Sequence, residues 1–377
     1  MRCLLVGRVS LCKSRQGFGF SQKCGLVNVK LKWVKDKELD AVVVGEKHVK
    51  AVSNLVSLLS SSPDYTLPIF HRGQLGLPPD LKLSSFLRRF PNIFVQRDTR
   101  FGLTSEAIDL HREEAHLLEL NKGDLLARLC KLLMLTRERT LPLHSIDHLR
   151  WDMGLPYDYR HSLLPSHPDL FSLVKLSSDL VGLKLMHWDE RLAVSHLQGL
   201  RNDDPMAFPV KFTRGFGLKR KSMEWLHEWQ RLPYTSPYLD ASHLDPRTDL
   251  SEKRNVGVFH ELLHLTIGKK MERKNVSNLR KPFALPYKFT KVFERHPGIF
   301  YISLKCNTQT VILREAYDRR HLLEKHPLVD IRAAFANMVT SRGLYQKSLV
   351  DDFGTKIIYP EEEESESGSD YPLVVLL

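Results

Sequence analysis

The sequence predicts an α+β protein, predominantly helical, made of three winged-helix-like repeats in which helices are followed by a β-hairpin. Two observations carry this expectation. A motif ending in Pro, any residue, Ile or Leu, then Phe recurs as FLRRFPNIF at 86–94, LLPSHPDLF at 163–171 and VFERHPGIF at 292–300. Each copy follows a long amphipathic stretch and precedes two alternating apolar runs joined by polar residues, the patterns of a helix and of a hairpin.

Taken in order, the upstream helices are ELDAVVVGEKHVKAVSNLVSLLSS, EEAHLLELNKGDLLARLCKLLML and VGVFHELLHLTIGKKMERK. GLPPDL at 76–81, GLPYDY at 154–159 and ALPYKF at 284–289 come next. Proline is tolerated where a helix starts, and Leu83, Phe86, Leu87 and Phe90 then fall at helical spacing. A second proline, Pro91, Pro168 or Pro297, stops that helix. The hairpins are IFVQRDTRFGLT, LFSLVKLSSDLVGLKLMHW and IFYISLKCNTQTVILREA. Phe94, Phe171 and Phe300 are expected at the corner between third helix and wing, plugging the core, so the motif reads as packing. TLP at 66–68 and 140–142 is shared by the first two units only. The approximate units are 36–107, 108–190 and 256–318.

Charge points to a polyanion. The chain holds 56 basic and 44 acidic residues; residues 351–377 take eight of the acids and one base, leaving 55 against 36 before them. Such a balance suits nucleic acid. No apolar run approaches the ~20 residues that span a bilayer, so no membrane insertion is expected. The five cysteines show no paired spacing for disulfides or a zinc ribbon, which fits a reducing compartment. Residues 1–27 carry Arg2, Arg8, Lys13, Arg15 and Lys23 and no acid, like an organellar transit peptide; mitochondrion is expected, with chloroplast as the alternative. The last segment, 356–377, is expected to be an acidic, disordered tail.

Several long stretches resemble the plant organelle RNA recognition family. They are VNVKLKWVKDKELDAVV at 27–43, FLRRFPNIFVQ at 86–96, RFGLTSEA at 100–107, LPYDYRHSLLPSHPDLFSLV at 155–174, HELLHLTIGKK at 260–270 and HPGIFYISLKCNTQTVILREAYDR at 296–319. The resemblance covers about 28–355. It implies binding of organellar intron RNA to promote group II intron splicing, possible association with other splicing factors, no cofactor and no catalytic residues.

An RNA-binding surface needs spread cations and some aromatic area for unpaired bases. The candidates are Arg88 and Arg89 on the first short helix; Lys219, Arg220 and Lys221 in the linker RGFGLKRK; Lys269, Lys270, Arg273 and Lys274 after the third long helix; and Lys288, Lys291 and Arg295. The last three recur at helical spacing and are expected to form one basic face, with Phe289, Val292 and Phe293 in the core. Trp33 lies among Lys30, Lys32, Lys35 and Lys37; it is read as covering the core, with base stacking as the alternative. RGFG at 214–217 copies half of an RNA-recognition-motif strand but continues Leu-Lys, so it reads as a loop. WLHEWQRLPYTSPYLD at 225–240 reads as a packed linker.

Two other function classes are in view. A winged helix commonly reads duplex DNA, so an organellar DNA-binding protein is the alternative. HELLH at 260–264 fits the zinc-protease pattern, with His260 and His264 as ligands and Glu261 as base. Its only tempting third ligand is Glu294, and Phe259, Leu262, Leu263 and Leu265 read instead as a core helix. A zinc hydrolase is therefore a remote alternative, which stoichiometric zinc would revive.

Overall fold

A computed structural model describes residues 31–68, 83–200, 206–213, 216–217, 219–306 and 308–341; the expected transit peptide (1–27) and acidic tail (356–377) lie outside them. The described chain is α+β. It opens with α1 (Lys37–Gly45), α2 (Val49–Ser60), β1 (Thr66–Pro68), α3 (Leu83–Arg88), β2 (Phe94–Arg97) and β3 (Arg100–Leu103). A second run follows: α4 (Ser105–Leu120), α5 (Lys122–Met134), β4 (Thr140–Pro142), α6 (Leu143–Met153), α7 (Tyr159–Ser162), β5 (Phe171–Ser177) and β6 (Leu180–Leu185). A linker carries α8 (His196–Leu200) and α9 (Arg220–Gln230). The third run is α10 (Asp249–Leu265), β7 (Lys270–Glu272), a 3-10 helix (Arg273–Leu279), α11 (Lys291–Arg295), β8 (Phe300–Ser303) and β9 (Thr310–Leu313). A 3-10 turn (Arg314–Ala316), β10 (Tyr317–Asp318), β11 (His321–Leu322) and α12 (Pro327–Thr340) end it.

Three antiparallel three-stranded sheets share one order, β1-β3-β2, β4-β6-β5 and β7-β9-β8. TLP is thus the first strand of its sheet, with Leu67 and Leu141 buried at the centre. The third unit has a counterpart, Lys270-Met271-Glu272, whose Met271 is equally buried. The residue before each strand, Tyr65, Arg139 and Lys269, has a left-handed backbone with φ of 52°, 53° and 50°.

The recurring proline motif is one corner built three times. In each copy the carbonyl before the proline, of Phe90, His167 or His296, accepts from both the Ile/Leu and the Phe amides of the motif. Proline donates no amide at the point where the helix must end, and the Phe enters the core at once. Phe94, Phe171 and Phe300 are all buried.

The upstream helices differ from expectation. The first stretch breaks into α1 and α2 at His48, whose φ is 72°, and the second into α4 and α5 at Asn121. The third begins earlier, at Asp249, capped by the Thr248 hydroxyl accepting from Ser251 N–H at 3.2 Å, and ends at Leu265, before Gly268 and β7. It is buried on every side from Ser251 to Leu265. Even Lys253 is fully enclosed; its ammonium donates to the Met206, Gln230 and Leu232 carbonyls at 2.8, 2.8 and 2.5 Å, the last two at the C-terminal end of α9, where a cation is favoured.

Candidate nucleic-acid interface

The residues before α1 run across the third sheet. Trp33 Nε1 donates to the Ile302 carbonyl at 3.2 Å, and its ring stacks on Tyr301 with centroids 6.1 Å apart and planes at 14°. Asp36 caps α1 and accepts from Arg314 at 2.8 Å and from the Thr213 hydroxyl at 3.3 Å. The last bond draws in the segment before α9, so Lys32, Trp33, Val34 and Lys35 face Phe216 and Gly217 across a groove. Trp33 is 42% exposed, which corrects the reading that it covers the core: one face packs and the rest is open. Phe216 stacks on Phe212 at 4.5 Å. Lys32 and Lys35 are exposed.

Lys219, Arg220 and Lys221 leave this groove as the cap and first turn of α9, not as a linker loop, and all three are exposed. Arg220 reaches Glu224 at 2.9 Å. Cations at the positive end of a helix are unfavourably placed, and an anion there would relieve them. Further along α9, Trp225 and Trp229 are buried, as the packed reading of 225–240 required.

The expected basic face of Lys288, Lys291 and Arg295 is only partly present. Lys288 and Lys291 are exposed, with Phe289, Val292 and Phe293 buried beneath them. Arg295 is instead engaged by Glu252 at 2.9 Å and lies 5.9 Å from the Trp225 ring. Next to Lys288, Tyr287 is 81% exposed, with the Arg280 guanidinium 5.6 Å from its ring. The same pairing, Arg150 over Tyr157 at 4.9 Å, occurs at the equivalent place in the second unit. Sequence reasoning passed over these tyrosines, although each follows the proline of the repeated LP dipeptide.

The remaining candidates divide by burial. Arg88 is exposed and donates to Gln96 at 2.9 Å, and Arg89 beside it is half-buried. Lys274 is exposed and pairs with Glu272 at 2.8 Å. Arg273 is held by Glu294 and Gln309, both at 2.8 Å. Lys270 is paired with Glu46 at 2.6 Å. Lys269 is buried and donates to the His264 carbonyl at 2.6 Å; burial drives its amine down to about 8. Lys269, in the entry turn, and Lys270, the first residue of β7, are thus drawn inward by these partners.

HELLH lies inside α10. The Nε2 atoms of His260 and His264 converge on one oxygen of Glu315, at 2.6 and 2.7 Å. Burial raises the Glu315 carboxyl, but these two hydrogen bonds outweigh it and bring it to about 2. Glu294, the expected third ligand, is on the surface with Arg273. Glu261 is 1% exposed and held by three donors: it accepts from Lys131 at 2.8 Å, Tyr238 at 2.6 Å and the His196 amide at 2.6 Å. A carboxylate so buried and so engaged is poorly placed to activate water.

A family model described as the plant organelle RNA recognition domain matches residues 34–343. The chain is 34% identical to the Arabidopsis thaliana mitochondrial protein What's This Factor 9, over 89% of this chain and 91% of that one. It is 32% identical to the chloroplastic What's This Factor 1 of Zea mays, over 81% of this chain and 66% of that one. To Root Primordium Defective 1 of Arabidopsis thaliana it is 31% identical, over 81% of this chain and 82% of that one. No solved structure matches the chain.

Proposed function

The chain belongs to the plant organelle RNA recognition family, and on that premise we propose that it binds structured organellar RNA and promotes group II intron splicing in the mitochondrion. The observation that carries this reading is the groove of Lys32, Trp33, Lys35 and Phe216, which leads into Lys219, Arg220 and Lys221. Open aromatic faces between lysines offer stacking for unpaired bases and charge for the backbone. Lys288 and Lys291 beside Tyr287, with Arg88, extend the binding surface. The three units act as winged-helix-like modules holding intron RNA in a reactive shape, with chemistry left to the RNA and other splicing factors as partners. The mitochondrial address rests on the basic, acid-free N-terminus and the mitochondrial relative; the chloroplastic relatives make the chloroplast the alternative.

The test is binding of the purified full chain to group II intron RNA across a salt series, with duplex DNA as competitor. We expect retention on RNA near physiological salt. Each phosphate-contacting lysine lost should flatten the salt slope by roughly 0.7 to 0.9. Trp33→Ala should weaken binding by roughly 1–3 kcal/mol with little change in slope, because stacking is uncharged. Equal or better binding to duplex DNA would favour the DNA-binding reading; variants at 32, 33 and 35 that bind like the wild type would remove the groove.

A further inference from the structure

Glu315, His260, His264 and His196 form a cluster that RNA binding does not use. They come from three places: one helix, α10, the start of α8 and the 3-10 turn after β9. The imidazole planes of His196 and His264 are stacked, with centroids 3.5 Å apart and 15° between them. One ligand atom each from His196, His264 and Glu315 fits within a span of 4.8 Å. The second oxygen of Glu315 and Nδ1 of His264 are both buried without a hydrogen-bond partner. Leaving buried polar atoms unmatched is costly.

We propose that His196, His264 and Glu315, with His260 as fourth ligand, bind a divalent transition metal of the zinc class in a structural site. Imidazole nitrogen with one carboxylate suits zinc. Donor atoms in a tetrahedral site with bonds of about 2.0–2.1 Å stand roughly 3.4 Å apart; imidazole binds along an in-plane lone pair, so the His196 ring must turn out of its stack on His264 for both rings to meet one ion. Four protein ligands close the site. Glu261 is not a base here; by accepting the His196 backbone amide it fixes the start of α8 against α10. The metal would tie the linker to the third unit and so help set α9, whose first turn carries Lys219, Arg220 and Lys221.

The test needs no RNA, so its outcome is independent of the splicing reading. The full chain is stripped with chelator, exposed to excess Zn²⁺ and desalted, and bound metal is counted by mass spectrometry; a Co²⁺-loaded sample is read by visible absorption. We expect about one zinc per chain, an intense tetrahedral Co²⁺ band and a melting temperature raised by zinc. Glu315→Gln and His264→Asn should lose stoichiometric metal. His196→Ala, at the half-buried edge, should keep the wild-type circular dichroism while binding zinc at least tenfold more weakly. Trace metal only in the wild type, or an unchanged zinc affinity in a folded His196→Ala protein, would overturn the site and leave a metal-free hydrogen-bond cluster.

Discussion

At the scale of single residues, the same lysine means opposite things depending on which way the backbone turns it. Lys269 and Lys270 are as basic in sequence as Lys288 and Lys291, yet the first pair faces inward and the second outward. Charge composition cannot separate them, and strand alternation cannot either, since neighbours on a strand point to opposite faces; the His264 carbonyl holds Lys269 and Glu46 holds Lys270. Lys269 yields a pH prediction with a definite sign. Burial lowers its folded value to about 8 from the ordinary 10.5, so over that window the unfolded chain holds more proton and stability rises with pH. The slope should reach up to about 1.4 kcal/mol per pH unit between about 8 and 10.5. Denaturant titrations of the wild type minus Lys269→Met should show this rise, and RNA affinity should be unchanged by the substitution. A flat difference curve would mean that the amine is hydrated in the folded state. Glu315 was illegible for a different reason: 51 residues separate it from His264, and only the fold joins them.

At the scale of elements, the repeat was legible wherever covalent constraint dictates structure. The corner prolines fix φ and remove a donor, so Pro, any residue, Ile or Leu, then Phe marked the three corners from sequence alone. The first strand of the third sheet escaped because Lys-Met-Glu carries no β-branched residue and no TLP signature; its strand character comes from pairing with Thr310–Leu313. The helix breaks at His48 and Asn121 were hidden for a related reason, since apolar periodicity continues across them. The LP turns are more exacting. Gly154 has φ +76°, and its amide donates to Trp151 O as the Leu155 amide donates to Arg150 O. Ala284 repeats the geometry at φ 52°, its amide donating to Lys281 O and the Leu285 amide to Arg280 O. A Cβ in the left-handed region is strained by roughly 1–2 kcal/mol, partly offset by the extra freedom glycine gives the unfolded chain. Ala284→Gly should therefore stabilise by about 0.5–1 kcal/mol. Gly154→Ala should destabilise by more, since its Cβ would also meet Ile267 Cγ2 at 3.0 Å. Chemical denaturation of both variants checks the pair, and a destabilised Ala284→Gly would show that the alanine methyl packs usefully.

At the scale of the whole molecule, the three sheets are not beads on a string, because each end of the described chain packs on the distant unit. Asp40, buried in α1, accepts from the Tyr301 and Ser303 hydroxyls at 2.9 and 2.7 Å, and Arg314 reaches back to Asp36 at 2.8 Å. In the other direction, α12 places Ile331, Phe335 and Val339 in the apolar cluster of the first unit, with Val52, Phe86 and Phe101. Arg332 closes this contact over the Trp151 ring, its guanidinium 3.7 Å from the centroid. Nothing in the sequence announced this crossing, since α12 is an ordinary amphipathic helix and Asp40 an ordinary acid. It also builds the groove, because Trp33 reaches the third sheet only through the segment that α1 anchors. The consequence is cooperative unfolding. Phe335→Ala removes a fully buried ring from the first unit, at about 3–5 kcal/mol. Asp40→Ala takes the acceptor from two hydroxyls on the third, Ser303 and Tyr301, the latter keeping only the Asp36 amide that donates to it at 3.0 Å, at about 1–3 kcal/mol for each lost partner. If the clasp couples the units, each variant should shift one shared calorimetric transition, and hydrogen exchange should accelerate in both units. A split into two transitions, with Phe335→Ala lowering only the one that protects residues 49–68 and 83–103, would show that the ends touch without coupling.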